Sequence, residues 1–246
     1  MPSLITPPPA FTAVLFGLSG CLVDFGARTL PVALLRACPS AAGERRATGQ
    51  APAEALAAAL GRTPRAEELQ ALHHALSEAA AEHAEATPGA LALLDELRRQ
   101  GVPCTWLEEL PGEASTRLAT PLPNWLPAPQ TSTSRPWPAP DSCWQALMGL
   151  EVANLEGCVL VSGEPRLLQA GLNAGLWTVG LAACGPLCSQ APADWQALGA
   201  LQRDQLRAQA TLQLYRLGAH SVIDHLGELG PCLSDLGSRR QKGEKP

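Results

Sequence analysis

The chain has 246 residues, with 18 Lys plus Arg against 23 Asp plus Glu and a formal net charge of −5. That length holds one large α/β domain and a small insertion, and the negative balance gives no electrostatic basis for a nucleic-acid partner. The longest apolar run, around Ala13 to Val23, is too short to cross a bilayer.

In chain order, Met1 to Pro9 lacks the basic start and apolar stretch of a secretory signal, so the expected compartment is the cytoplasm and no membrane partner is expected. Thr12 to Leu18 is a continuous β-rich apolar run that breaks at Ser19-Gly20, the pattern of a fully buried parallel strand opening into a loop. From about Ala27 to Ala86 the pattern turns Ala-, Glu- and Leu-rich at helical spacing, as in Pro64 to His83. This predicts a helical block, residues 27–86, inserted after the first strand. Thr87-Pro88 reads as an N-cap and first helical residue, and Gly101 as the stop. Leu91, Leu94 and Leu97 recur between them and feed a second strand at Val102 to Leu107.

A proline-rich connection, Pro121 to Pro140, leads to a helix around Ser142 to Leu150. A strand at Gly157 to Val161, a helix at Pro165 to Ala174, a strand at Trp177 to Leu181, a helix at Asp204 to Leu217 and a short strand at Ser221 to Ile223 follow. This alternation predicts a parallel sheet covered on both faces. The polar end, Gly237 to Pro246, reads as a disordered tail, with the domain closing near Leu233.

Eight cysteines carry no metal-type spacing, and the one close pair, Cys184 and Cys188, is not Cys-x-x-Cys, so they read as small buried hydrophobes. Sixteen arginines against two lysines, Lys242 and Lys245, reflect coding bias more than function. No phosphate-binding glycine motif of the P-loop or dinucleotide type occurs. His73, His74, His83, His220 and His225 read as structural or solvated, and tryptophans such as Trp137, Trp144 and Trp177 as packing residues.

Four segments carry a specific resemblance: Val23-Asp24-Phe25-Gly26, Arg135-Pro136-Trp137-Pro138, Ala174 to Leu181, and Leu214 to Asp224. Together they resemble the phosphonoacetaldehyde hydrolase branch of the haloacid dehalogenase (HAD) superfamily. The resemblance covers residues 13–27 and 87–233, while the block at 27–88 aligns poorly and is shorter than that family's cap. It implies a three-layer α/β/α Rossmann-like core, residues 1–26 and 87–233, with a reduced helical cap after the first strand. It also implies a chemistry: a strand-end aspartate attacks phosphorus, magnesium on carboxylates neutralises the phosphoryl oxygens, a hydroxyl and a basic group hold them, and a cap lysine forms an imine with the aldehyde.

Position by position, the chain departs from that pattern. The nucleophile position falls on Gly17, which has no side chain. Ser19 takes the general acid/base position with Cys21 in the same turn, and neither has an identifiable base to activate it. Asp24 reads as a local cap or turn acceptor. The phosphate-binding hydroxyl aligns with Glu108, a carboxylate that would repel a phosphoryl dianion. Arg135 matches the family's basic residue, so Glu108 or Glu109 is expected close to it, partly filling the vacant anion site.

In the fourth loop, Ser162 and Gly163 replace the acidic metal pair; Glu164 is one position away and otherwise favours the amino terminus of the helix at Pro165. No metal is expected there. Lys242 and Lys245 lie in the polar tail, which leaves no lysine for an imine.

The first reading is therefore a non-catalytic paralogue that binds a small anionic ligand or a protein partner, with residual site Arg135, Ser19 and Glu108. The second is a hydrolase rebuilt on Glu108, Glu109 or Glu164 with magnesium. A third is a dimerisation partner of an active homologue, since caps and helical faces can mediate assembly, and a homodimer is a further open partner.

Overall fold

The computed structural model describes residues 11–39, 50–128 and 135–246. Met1 to Pro9 and part of the proline-rich connection lie outside the described residues. Five apolar runs pair into one parallel sheet: β1 (Ala13–Gly17), β2 (Cys104–Leu107), β3 (Cys158–Ser162), β4 (Trp177–Leu181) and β5 (Ser221–Ile223). Their order is β2-β1-β3-β4-β5. Val14 to Gly17 pair with Cys104 to Leu107 on one side, and Ala13 to Phe16 with Cys158 to Val161 on the other. Every residue of β1 to β4 is buried, as the unbroken apolar runs require of strands covered on both faces.

Helices follow in the pattern α1 (Thr29–Ala37), α2 (Pro52–Leu60), α3 (Ala66–Glu82), α4 (Ala90–Arg99), α5 (Gly112–Leu118), α6 (Asp141–Gly149), α7 (Pro165–Asn173), α8 (Pro192–Ala197), α9 (Ala200–Leu217) and α10 (Leu229–Gln241). The period-2 alternation of the strands sorts them into two layers. Val14 and Phe16 of β1 share a buried cluster with Leu94 of α4 and Leu236 of α10. Ala13 and Leu15 face the opposite way, into a cluster with Leu147 of α6 and Leu167 of α7. The result is the three-layer α/β/α core. Among the described residues no helix is long and apolar enough to cross a membrane.

Helices α1 to α3 occupy the insertion after β1. Their buried residues Leu34, Leu56, Leu72 and Leu76 belong to the same apolar cluster as Val14 and Phe16. The chain returns to the core at Thr87, where the structure corrects the sequence reading. Thr87 is not the cap of α4; its amide donates to Leu22 O at 3.0 Å and its hydroxyl to Cys21 O, so it ties the end of the insertion to the loop after β1. Gly89 caps α4 instead, with φ of 82°. A Cβ there would stand 2.3 Å from the Gly227 amide nitrogen, so only glycine fits.

A second correction concerns the carboxyl-terminal end. The reading of 234–246 as a disordered tail missed that Leu229, Cys232, Leu233, Leu236 and Gly237 lie on one buried stripe of α10, which runs to Gln241. Arg239 is held over the Trp177 ring at 5.0 Å and donates to His220 O at 3.1 Å. Composition read this segment as solvated, whereas the spacing of its few apolar residues builds a helix.

Candidate functional site

Neighbours of β1 are β2 on one side and β3 on the other, so the chain leaves β1 in opposite directions and a crevice opens at the strands' carboxyl ends. There lies a pocket of about 70 Å³, whose lining includes Gly17, Ser19, Glu108, Glu109, Ser162 and Glu164. The structure thus brings together all the sequence-derived positions except Arg135 and Gly163, and Gly163 lies between two of them.

Glu108 follows directly on β2. One of its carboxylate oxygens accepts from the Ser19 amide at 3.1 Å, and the other from the Glu109 amide at 2.8 Å and the Leu110 amide at 3.3 Å. These amides come from the loops after β1 and β2, and they converge on a negatively charged group supplied by the chain itself. Burial pushes the Glu108 carboxyl up to about 7 against the pull of those three amides, with the nearby Glu164 carboxylate adding to the rise.

At the end of β1, Gly17 faces β3. A Cβ on Gly17 would stand 2.7 Å from Ser162 Oγ and 3.4 Å from a Leu167 methyl carbon, so the serine hydroxyl occupies the space that a side chain at 17 would enter. That hydroxyl accepts the Glu164 amide at 3.0 Å. Gly163 is still more confined: a Cβ there would lie 2.4 Å from Gly185 Cα and 2.8 Å from Gly20 O, backbone on either side. Glu164 caps α7, its carboxylate accepting the Arg166 amide at 3.1 Å, and burial raises its carboxyl.

Ser19 has an acceptor the sequence did not assign to it. Its hydroxyl donates to Asp24 Oδ2 at 2.8 Å, and the same carboxylate accepts the Arg28 amide at 2.9 Å and the Thr29 amide at 3.0 Å. Asp24 is fully buried with φ of 57°, so three donors converge on a residue that fixes the turn into α1. Cys21 donates to Val161 O at 3.3 Å, and burial holds its thiol well above the ordinary value, which disfavours the thiolate form.

Arg135 requires a correction. It was expected beside Glu108 or Glu109, but its guanidinium is 72% exposed and pairs with Asp141 at 3.0 Å, outside the pocket lining. Arg166 is the pocket's arginine. It binds Glu109 at 2.6 Å with both side chains mostly buried, and it also donates to Trp137 O, while Glu109 accepts the Trp137 amide. Sequence reasoning passed over Arg166, although one signal was present. An arginine in the first turn of a helix opposes the helix dipole, and it is tolerated there because a carboxylate elsewhere compensates it.

The magnesium that a HAD-type site implies does not fit these residues. Positions 17 and 163 have no side chain, a Cβ at 163 would meet backbone and one at 17 the Ser162 hydroxyl, and the Glu164 carboxylate is engaged in capping. Among the described residues no group of three or more His, Cys, Asp or Glu is placed to hold a metal ion. Lys242 and Lys245 are exposed at the far end of α10 and line no part of the pocket. All eight cysteines are buried.

This strand order and strand-end crevice define the fold of the HAD hydrolases. A HAD family hydrolase from Deinococcus radiodurans is 24% identical, with a TM-score of 0.58 over 92% of this chain and 96% of that one. A phosphonoacetaldehyde hydrolase-like protein from Oleispira antarctica is 23% identical, with a TM-score of 0.83 over 97% of each chain. A further solved chain is 50% identical, with a TM-score of 0.74 over 96% of this chain and all of that one.

Within that fold, the sequence is similar to phosphonoacetaldehyde hydrolase. The Aeromonas hydrophila enzyme is 32% identical over 179 residues, 66% of this chain and 61% of that protein. The Bordetella pertussis enzyme is 28% identical over 197 residues, 76% of this chain and 71% of that protein. The match thus spans less than two thirds of the Aeromonas relative's length. No family model matches the chain.

Proposed function

We propose that this chain is a catalytically degenerate, phosphonoacetaldehyde hydrolase-like member of the HAD superfamily that acts as a binding or regulatory paralogue. The observation that carries the reading is the seat of Glu108. Its carboxylate takes three strand-end amides that could otherwise hold a phosphoryl oxygen, and it lines the same pocket as Gly17, which has no side-chain atom to attack with. Phosphoryl transfer depends on positioned cationic and hydrogen-bonding groups around the transferring phosphorus. Here Arg166 is already neutralised by Glu109, and the amides are taken.

The rebuilt hydrolase is the second reading, and one observation favours it. Glu108 sits in a pocket with its carboxyl raised to about 7, the range in which a carboxylic acid can exchange a proton with a substrate near neutral pH. The two readings separate in one assay. Phosphonoacetaldehyde and a panel of phosphate esters are offered with magnesium to the wild type and to Glu164→Ala. The paralogue reading expects no turnover above buffer from either protein. Metal-dependent turnover that disappears in Glu164→Ala would overturn it in favour of the second.

A further inference from the structure

A larger recess lies away from the strand-end pocket, at the junction between the exit of the insertion and the amino-terminal part of α9. It measures about 540 Å³, within the range of small-molecule sites. Its wall includes Phe25 and Trp195, whose ring centroids are 6.3 Å apart and tilted by 53°. Phe25 is buried, and Trp195 is partly open to the recess. Ala86, Pro88, Ala183 and Pro192 continue the apolar surface.

The rim is charged, and most of its charges are answered within the chain. Arg207 pairs with Asp224 at 2.7 Å and Asp204 at 3.1 Å, and Glu85 pairs with Arg28. Arg203, one turn before Arg207 on α9, has no side-chain partner among the described residues. The indole N–H of Trp195 likewise meets no acceptor among them, and the Nδ1 of His225 is buried without one. The recess therefore combines an aromatic wall with one unanswered guanidinium and an unanswered indole donor. A guanidinium is suited to a carboxylate or phosphate, and an indole N–H to any oxygen acceptor.

We infer that the recess between Trp195 and Arg203 is a binding site for a small anion with a flat apolar body, the ring lying against Trp195 and the anionic group meeting Arg203. This site goes beyond the paralogue reading and does not depend on whether the strand-end pocket is inert, since the two share no lining residue.

Naphthalene-2-carboxylate serves as the probe, titrated calorimetrically into the full-length protein, with the uncharged naphthalene-2-carboxamide beside it. The carboxylate is expected to bind with one-to-one stoichiometry and at least about ten-fold more tightly than the amide, the gain of one charge-assisted hydrogen-bonded contact. Arg203→Gln should reduce the carboxylate's affinity about ten-fold and leave the amide unchanged. Trp195→Ala should weaken both probes. Arg216→Gln, which removes an exposed charge from the same helix, should change neither, and circular dichroism reports whether each variant is folded. Equal affinity for the two probes, no binding of the carboxylate, or an Arg203→Gln protein that binds the carboxylate as wild type does would each overturn the inference.

Discussion

The strand-end pocket and the recess beside α9 are built from similar residue types and have opposite characters. In the strand-end pocket the polar side chains at the sheet's carboxyl ends are answered from within: Glu108 by three amides, Glu109 by Arg166, Ser19 by Asp24, and Ser162 by the Glu164 amide. Only about 70 Å³ is left between them. In the recess the volume is about 540 Å³, and a guanidinium, an indole N–H and an imidazole nitrogen are left without partners among the described residues. Buried polar groups must find hydrogen bonds, so a site that supplies them internally has little to offer a guest. In the recess only His225 Nδ1 is buried without a partner, while the Arg203 guanidinium and the Trp195 indole N–H face solvent and can exchange water for a guest's acceptor.

Placing side chains at positions 163 and 17 should disrupt the strand-end pocket. The largest effect belongs to Gly163→Ala. Its Cβ would meet Gly185 Cα at 2.4 Å, and backbone on both sides cannot yield as a side-chain tip can. A loss of about 3–4 kcal/mol is expected in urea unfolding. A loss below about 1 kcal/mol would mean that this loop accommodates a side chain, and with it the acidic residue of the family pattern.

Gly17→Asp comes next, at about 2–3 kcal/mol, because it displaces Ser162 Oγ and buries a carboxylate beside Glu108 and Glu164. Adding Ser162→Gly should recover part of that loss, a coupling that a double-mutant cycle reads directly. On the paralogue reading neither variant is expected to turn over phosphonoacetaldehyde, since neither frees the amides that Glu108 holds.

Glu108 gives an effect with a definite pH sign. Its carboxyl is raised from an ordinary value of 4.5 to about 7 in the folded protein. Between those limits the native state keeps a proton that the unfolded chain has already released, so stability is fully present below the lower value and declines as pH rises through the upper one. The decline should amount to about 2 kcal/mol, discounted for the part of the residue that still meets solvent. Glu108→Gln removes the titration and turns an amide NH2 toward backbone donors. It should start about 1–2 kcal/mol less stable at low pH and run flat across the same window. A wild-type profile that is level from pH 4 to 8 would show that the three amides fully offset burial.

How much of this was legible in the sequence differs between fold and site. The strands were read almost residue for residue, since β1 and β3 are unbroken apolar runs closed by Gly or Ser, and Trp177–Leu181 matches the reading end for end. Gly17 could also be counted off from the Val23-Asp24-Phe25-Gly26 landmark as the position at which the resemblance implies a nucleophile. Which charge meets which could not, because partners such as Arg166 and Glu109 are 57 positions apart and are joined only by the strand order. Arg135 was favoured because it stands in a recognisable stretch, yet a local acceptor six residues on, Asp141, captures it. The recess beside α9 was invisible for the same reason: Phe25, Trp195 and Arg203 come from three separate segments with no shared spacing.

The smallest expected effect tests that lesson most cleanly. Had Arg135 been the pocket's anion-binding group, Arg135→Ala would leave Glu108 or Glu109 buried without its counter-charge, at a cost of about 3 kcal/mol or more. The structure instead gives it an exposed pair with Asp141 at 3.0 Å, a contact whose attraction is screened by water and offset by the ordering of two side chains. Arg135→Ala should therefore shift the unfolding free energy by no more than about 0.5 kcal/mol. Arg166→Ala, which strips Glu109 of a mostly buried partner and Trp137 O of a donor, should lose about 2–3 kcal/mol. A reversed ranking of the two arginines would return Arg135 to the pocket and move the cationic centre of the site away from α7.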